Sequence, residues 1–156
     1  MKKLFKIIIL LFKKYSPLRI YQIIECENYF LRGQSLEFGA SVNFKKNFSF
    51  FVKGNSKFHY SNLDNFKSKK IIKLDLSKKL KIKSKTYDNI LILNVLEHMN
   101  NHSLTFKEIK RIIKKNGNLF ISTPFLYQVH GAPQDYFRFT KDYFFEKLKN
   151  NGFKKI

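Results

Sequence analysis

Residues Tyr87–Met99 read "YDNILILNVLEHM". Ile90 to Leu93 form an unbroken apolar run with no polar residue to turn toward water. That pattern belongs to a central parallel strand covered on both faces. The segment "SLTFKEIKRIIKKNG" follows as an amphipathic helix with Phe106, Ile109, Ile112 and Ile113 facing inward. Lys114 and Lys115 stand at the negative end of its dipole, and Gly117 is placed to stop it. "NLFISTP" is then a strand closed by Pro124. Strand, helix and strand in succession predict an α/β sheet of mostly parallel order.

The same alternation runs upstream. "SLEFGAS", Ser35 to Ser41, is a short strand ending in a glycine turn. Asn43 is placed as a helix N-cap, Phe44, Phe48, Phe51 and Val52 share one helical face, and Gly54 is a C-terminal cap. "KFHYS" returns as a strand, followed by Asn62, Leu63 and Asp64. An acid thus follows the glycine turn at a spacing close to the ~20 residues usual for a ribose-binding carboxylate. "KIIKLDL" is a further short strand carrying Asp75. The connection from Leu63 to Lys70 is short for a parallel crossover, which usually needs about 10–12 residues.

Before Ser35 the chain reads as an N-terminal helical segment, residues 1–34, broken at Pro17, with "LRIYQIIECENYFL" as its second helix. Its start, "MKKLFKIIILLFKKYSP", is too short to span a bilayer, which takes ~20 residues. It has a basic start but no small-residue cleavage site, so it reads first as a helix packed on the domain, second as one lying on a membrane surface, and last as a cleaved export signal. In the second case Lys2, Lys3, Lys6, Lys13 and Lys14 would meet anionic lipid. A single cysteine, Cys26, excludes an internal disulfide and a cysteine-based zinc site. A cytoplasmic setting, peripheral to the inner membrane face if the helix binds lipid, fits that count.

The chain has 156 residues, enough for one core. Its net charge of +20 raises nucleic acid as a partner. However, the lysines run through almost every segment beside abundant Asn, Ile and Phe, a mixture that AT-rich codon usage also produces. Arginine, the preferred bidentate reader, is rare. Nucleic acid is therefore not the favoured partner.

"LEFGAS", Asp64, "KLDL", "YDNILILNVLEHM", "EIKRIIKKNGNLFISTP" and "HGAPQDYFRFT" stand in the order found in class I S-adenosylmethionine-dependent methyltransferases. The chain resembles in particular the small bacterial branch, of methyltransferase type 11 kind, found among cell-surface polysaccharide genes. The resemblance covers residues 35–156 and implies a Rossmann-like sheet incomplete at its C-terminal edge. It implies S-adenosyl-L-methionine as cofactor, with Glu37, Gly39, Ala40 and Ser41 lining the methionine end. Asp64, or its rival Asn62, would hold the ribose, and Asp75 with Leu76 the adenine. Asn94 and Val95 would close from the other side, with Glu97 and His98 beginning the next helix. Ser41 stands where the family usually has the second glycine of Gly-x-Gly.

"VHGAPQDYFRFT", Val129 to Thr140, lies beyond the fifth strand, over the expected pocket. His130 is the candidate catalytic base, since imidazole titrates near neutrality. Asp135, Tyr136 and Arg138 are candidates for acceptor binding, Arg138 as an anion clamp. Asp135 and Arg138 can equally pair with each other, with Thr140 capping the helix "KDYFFEKLKNNG". His98 and His102 have a metal-compatible i, i+4 spacing, but the sequence offers no third ligand and no metal site is assigned. The expected function is methyl transfer to a small-molecule, sugar or glycolipid acceptor. Its alternatives are an inactive methyltransferase-like binding module and an RNA-directed or nucleic-acid-binding protein.

Overall fold

A computed structural model of the chain describes residues 2–64, 68–131 and 134–154. Pro17 opens the second helix as expected: α1 is Lys2–Phe12 and α2 is Pro17–Cys26. Proline fits the first helical turn, where its missing N–H is not needed, and the Ser16 hydroxyl accepts from Arg19 N at 3.3 Å. The strands are β1 (Phe30–Leu31), β2 (Gln34–Phe38), β3 (Lys53–Gly54), β4 (Lys57–Asn62), β5 (Ile71–Lys73), β6 (Tyr87–Leu93) and β7 (Ile113–Ser122). The remaining helices are α3 (Thr105–Ile112) and α4 (Lys141–Asn150).

Five strands form one sheet in the order β5-β4-β2-β6-β7, parallel at every described pairing. Relabelled by their place in that sheet this is 3-2-1-4-5, the order of a doubly wound dinucleotide-type sheet, with its switch point between β2 and β6. Leu36 sits opposite His59 on one side and Ile90 on the other. β4 and β5 pair in parallel across the short 63–70 connection, of which residues 65–67 lie outside the described set. β1 and β3 make a separate two-stranded parallel ribbon.

β6 is buried on both faces, as its apolar run requires. Ile90 and Ile92 join Leu36, Phe106, Ile109 and Ile112 under α3, with Tyr143, Phe144 and Leu148 of α4 against that cluster. Leu91 and Leu93 face the opposite way, toward Cys26, Leu31 and Phe48. Burying one such aliphatic side chain stabilises the fold by about 1.5–3 kcal/mol. The helical N-terminal segment is tied into this layer. Gln22 of α2 donates to Asn94 Oδ1 at 2.7 Å and to Ser122 Oγ at 2.9 Å.

Three expectations are corrected. The second N-terminal helix ends at Cys26, and Phe30–Leu31 becomes β1. The helix expected over Asn43–Gly54 is two short 3₁₀ turns, Phe44–Lys46 and Phe48–Phe50, with Asn47 extended between them. Its backbone is taken over by long-range partners: Phe48 N and Ser49 N donate to the Glu37 carboxylate at 2.8 and 2.9 Å. Gly54 is a strand residue at φ +107°, where a side chain would meet Leu31 O at 2.1 Å. Finally, α3 stops at Ile112 rather than Gly117. Ile113 pairs with Tyr87, and the ladder resumes at Asn118 opposite Asn89 after an irregularity. Lys114 consequently pairs with Asp88 at 2.8 Å instead of completing a helix end.

Candidate functional site

The C-terminal ends of β2, β4, β5 and β6 open on the same rim, where open parallel sheets bind ligands. At the end of β2, Gly39 adopts φ +71°, and a Cβ there would lie 2.6 Å from Val95 Cγ2. Only a residue without a side chain lets the two loops approach this closely. Ala40 is buried, donating to Ser61 O at 2.9 Å and accepting from Asn62 Nδ2 at 3.0 Å. Ser41 N donates to Asn47 Oδ1 at 2.7 Å, and Asn47 Nδ2 returns a bond to Ser41 O at 3.2 Å. Buried Asn47 therefore closes the glycine loop, a role for which the sequence carries no local signal.

A polar cavity of about 160 Å³ lies against this loop, lined by Arg19, Glu37, Gly39, Ser41, Asn94 and their neighbours. Glu37 is buried, and burial pushes its carboxyl above the usual range against the pull of Ser49, Phe48 and Arg19. The Arg19 guanidinium lies 3.5 Å over the Phe48 ring and donates to Lys46 O. Asn94 adopts φ +57° and exchanges hydrogen bonds with Gln22, which sequence reasoning missed because α2 is remote in the chain.

The remaining cofactor candidates are spread around the rim. Asn62 ends β4 and accepts from Asp64 N at 3.1 Å, while Asp64 is exposed just beyond the strand. Asp75 accepts from Ser77 N and Oγ at 2.9 and 2.6 Å and pairs with Lys78 at 3.2 Å, so its carboxylate frames a turn. Leu76 belongs to the core rather than to an open surface, and its carbonyl accepts from Thr105 Oγ1. Its side chain therefore does not line the rim.

The loop after β7 comes back over the turn after β6. Tyr136 N donates to Glu97 O at 2.8 Å. Arg138 forks onto Asp135 at 2.5 and 2.6 Å and also reaches carbonyls of Tyr127, Gln128 and Phe137. That fork holds the Asp135 carboxyl well below the usual carboxylate range. Asp135 also lies 3.0 Å from His130 Nδ1. Asp135 and Arg138 thus pair with each other, the second of the two readings the sequence offered, and frame the loop; an open anion clamp is not what the contacts of Arg138 provide. Tyr136 remains exposed. Thr140 caps α4 as expected, accepting from Tyr143 N at 3.3 Å. Alanine and proline at positions 132 and 133 of this motif lie outside the described residues. His98 does not pair with His102, whose Nε2 donates to Leu96 O at 2.9 Å, but lies against His130 with ring centroids 5.0 Å apart.

The family described as methyltransferase domain matches residues 53–121. Among solved structures, the chain is similar to 1,6-didemethyltoxoflavin-N1-methyltransferase of Burkholderia thailandensis, crystallised with 1,6-didemethyltoxoflavin and S-adenosylhomocysteine. The TM-score is 0.64 at 14% identity, covering 88% of this chain and 68% of that one. It is also similar to a SAM-dependent methyltransferase of Aquifex aeolicus, with a TM-score of 0.63 at 16% identity, covering 90% of this chain and 85% of that one. No curated protein matches the sequence. The fold is the Rossmann-like fold of class I methyltransferases.

Proposed function

We propose that this chain binds S-adenosyl-L-methionine across the C-terminal ends of β2, β4 and β6 and transfers its methyl group to a small-molecule acceptor. The observation that carries this reading is the Gly39 turn, held open by its positive φ and faced by Val95, beside a polar cavity at the sheet's switch point. The residues fit the cofactor. A cavity of about 160 Å³ is below the ~300 Å³ of a whole ligand pocket and takes its amino-acid end, with the nucleoside end along the rim. Gly39, Ala40 and Ser41 offer backbone there, Asn94 and Val95 close the opposite side, and Asn62 or Asp64 meets the ribose. Asp75 and the backbone at Leu76 border the adenine end.

When bound, S-adenosylmethionine supplies an electrophilic methyl group. The chain's own contribution is to position the acceptor and take its proton. His130 Nδ1 donates to Gln128 O at 3.3 Å and its backbone N–H to Asp135 Oδ2 at 3.1 Å, which leaves Nε2 to accept a proton from an acceptor hydroxyl. Tyr136, exposed on the same loop, is the candidate for acceptor contact.

A sugar or glycolipid precursor is the favoured acceptor. Leu126 and Val129, 93% and 84% exposed, stand on the same loop as His130 and suit the apolar part of a lipid-linked substrate. α1 supports work at a membrane surface. Its Phe5 and Phe12 are 66% and 84% exposed, with Lys6, Lys13 and Lys14 close in sequence. No described helix is long and apolar enough to cross a membrane.

Titration calorimetry of S-adenosylhomocysteine into the purified chain tests the reading, with Asp64→Ala as control. Micromolar affinity is expected for the wild type. A folded chain without affinity overturns the proposal and favours a binding module without turnover.

A further inference from the structure

The short turn Leu96–His98 after β6 carries a carboxylate that the methyl-transfer reading does not use. Glu97 is fully buried, and neither of its carboxylate oxygens has a hydrogen-bond partner. Desolvation pushes its carboxyl up to about 7. Buried carboxylates are ordinarily paired, hydrogen-bonded or on a metal. Arg138, the nearest strong cation of the loop, is already committed to Asp135.

What faces Glu97 is a pair of half-buried imidazoles. His98 Nε2 lies 3.9 Å from Glu97 Oε1, and one ligand atom each of Glu97, His98 and His130 fall within 4.8 Å of one another. Both rings have their other nitrogen occupied. His98 Nδ1 is 2.5 Å from Gln134 O, and His130 Nδ1 is 3.3 Å from Gln128 O. An imidazole that donates Nδ1–H to a carbonyl or carboxylate presents Nε2 as a lone pair, the outer arrangement of metal-ligating histidines. Among the described residues, two imidazoles and a carboxylate without a hydrogen-bond partner thus converge on one point, an arrangement that a cation can satisfy.

We propose that Glu97, His98 and His130 form a divalent-cation site of the two-histidine, one-carboxylate type, suited to Zn²⁺. Three protein ligands leave a further position open, the arrangement of a zinc ion that binds water or substrate. Metal–ligand bonds of about 2.0–2.1 Å require the three side chains to draw together slightly. Two of them lie in the turn after β6, and His130 sits on the loop pinned to that turn through Tyr136 N and Glu97 O. The use of the ion rests on the function proposed above, with the ion, which would occupy His130 Nε2, taking the part given there to that nitrogen: an acceptor oxygen in the open position would be acidified beside the cofactor end of β6. Binding of the ion itself does not depend on that function.

The test uses the purified chain stripped with chelator. Zn²⁺ is followed by calorimetry and Co²⁺ by its visible absorption, with S-adenosylhomocysteine titrated separately. One equivalent should bind, Co²⁺ should show tetrahedral or five-coordinate bands, and Zn²⁺ should raise Tm. Glu97→Gln, His98→Ala and His130→Ala should each weaken affinity by about 100-fold or more, beyond the 10–100-fold cost of losing an outer partner. His59→Ala, whose ring instead meets Tyr87 Oη at 3.0 Å, should leave it unchanged. Circular dichroism checks that each variant folds. Failure of the folded wild type to bind Zn²⁺ or Co²⁺, or binding insensitive to all three substitutions, overturns the site. Loss of S-adenosylhomocysteine binding alone overturns the methyl-transfer reading and leaves the metal site standing.

Discussion

Gly39→Ala attacks the turn on which the cofactor reading rests. Gly39 has φ +71°, and an added Cβ would lie 2.6 Å from Val95 Cγ2. A side chain in the left-handed region costs roughly 1–2 kcal/mol. Overpacking against Val95 adds roughly 1–3 kcal/mol. Restricting the unfolded chain returns about 0.4–1 kcal/mol. The net destabilisation is about 3 kcal/mol at the middle of these ranges, or roughly 6–12 °C in Tm at 2–4 °C per kcal/mol for a domain of this size. Urea denaturation followed by circular dichroism measures it, and S-adenosylhomocysteine calorimetry on the folded variant should show at least a tenfold loss. Val95→Ala removes the atom that clashes, so the double variant should recover the packing cost but not the backbone cost. A double-mutant cycle then isolates a coupling of about 1–2 kcal/mol. A Gly39→Ala protein as stable as wild type, with unchanged affinity and no coupling to Val95, would refute both the strain argument and the placement of the cofactor.

Three further outcomes follow from the same contacts. Glu37→Ala strands the Phe48 and Ser49 amides in a buried site; at about 1–3 kcal/mol for each orphaned donor the loss should reach roughly 2–6 kcal/mol, with Glu37→Gln recovering part of it in urea titrations. Arg111 and the Leu80 amide hold the Glu108 carboxyl down to about 2. Its folded value is depressed, so its stabilisation is full above the ordinary value near 4.5 and is lost as pH falls through about 2. Melting curves of wild type and Glu108→Gln should therefore converge toward pH 2 and separate above about 4.5, and a constant gap would contradict the assignment. Anionic vesicles should sediment the protein in low salt and release it in high salt, each lysine near the surface contributing about 1 kcal/mol. Phe5→Glu with Phe12→Glu should abolish sedimentation; equal binding to zwitterionic vesicles would argue against the lysines' part.

The sequence alone determined the elements whose signals are local. The apolar run of β6 demanded cover on both faces, Pro17 divided the N-terminal helices, and Thr140 capped α4. Alternating strands and amphipathic segments were enough for a parallel α/β sheet, because side-chain periodicity and crossover chirality leave few alternatives. Tertiary structure decided the rest, wherever a distant group outbid the local preference. The Phe44–Val52 spacing is helical, but the buried Glu37 carboxylate claims two of that segment's amides and breaks it into 3₁₀ turns. The α3 periodicity continues past Ile112, but pairing with Tyr87 turns Ile113 into a strand residue. The sequence left Arg138 between an anion clamp and a pair with Asp135, and the fold decides for the pair. His98 has a sequence partner at His102, yet the loop after β7 brings His130 to it instead, over a carboxylate that only burial makes conspicuous. Periodicity reports how a segment meets its own turns and faces, whereas a buried charge is satisfied by whichever group the fold carries to it.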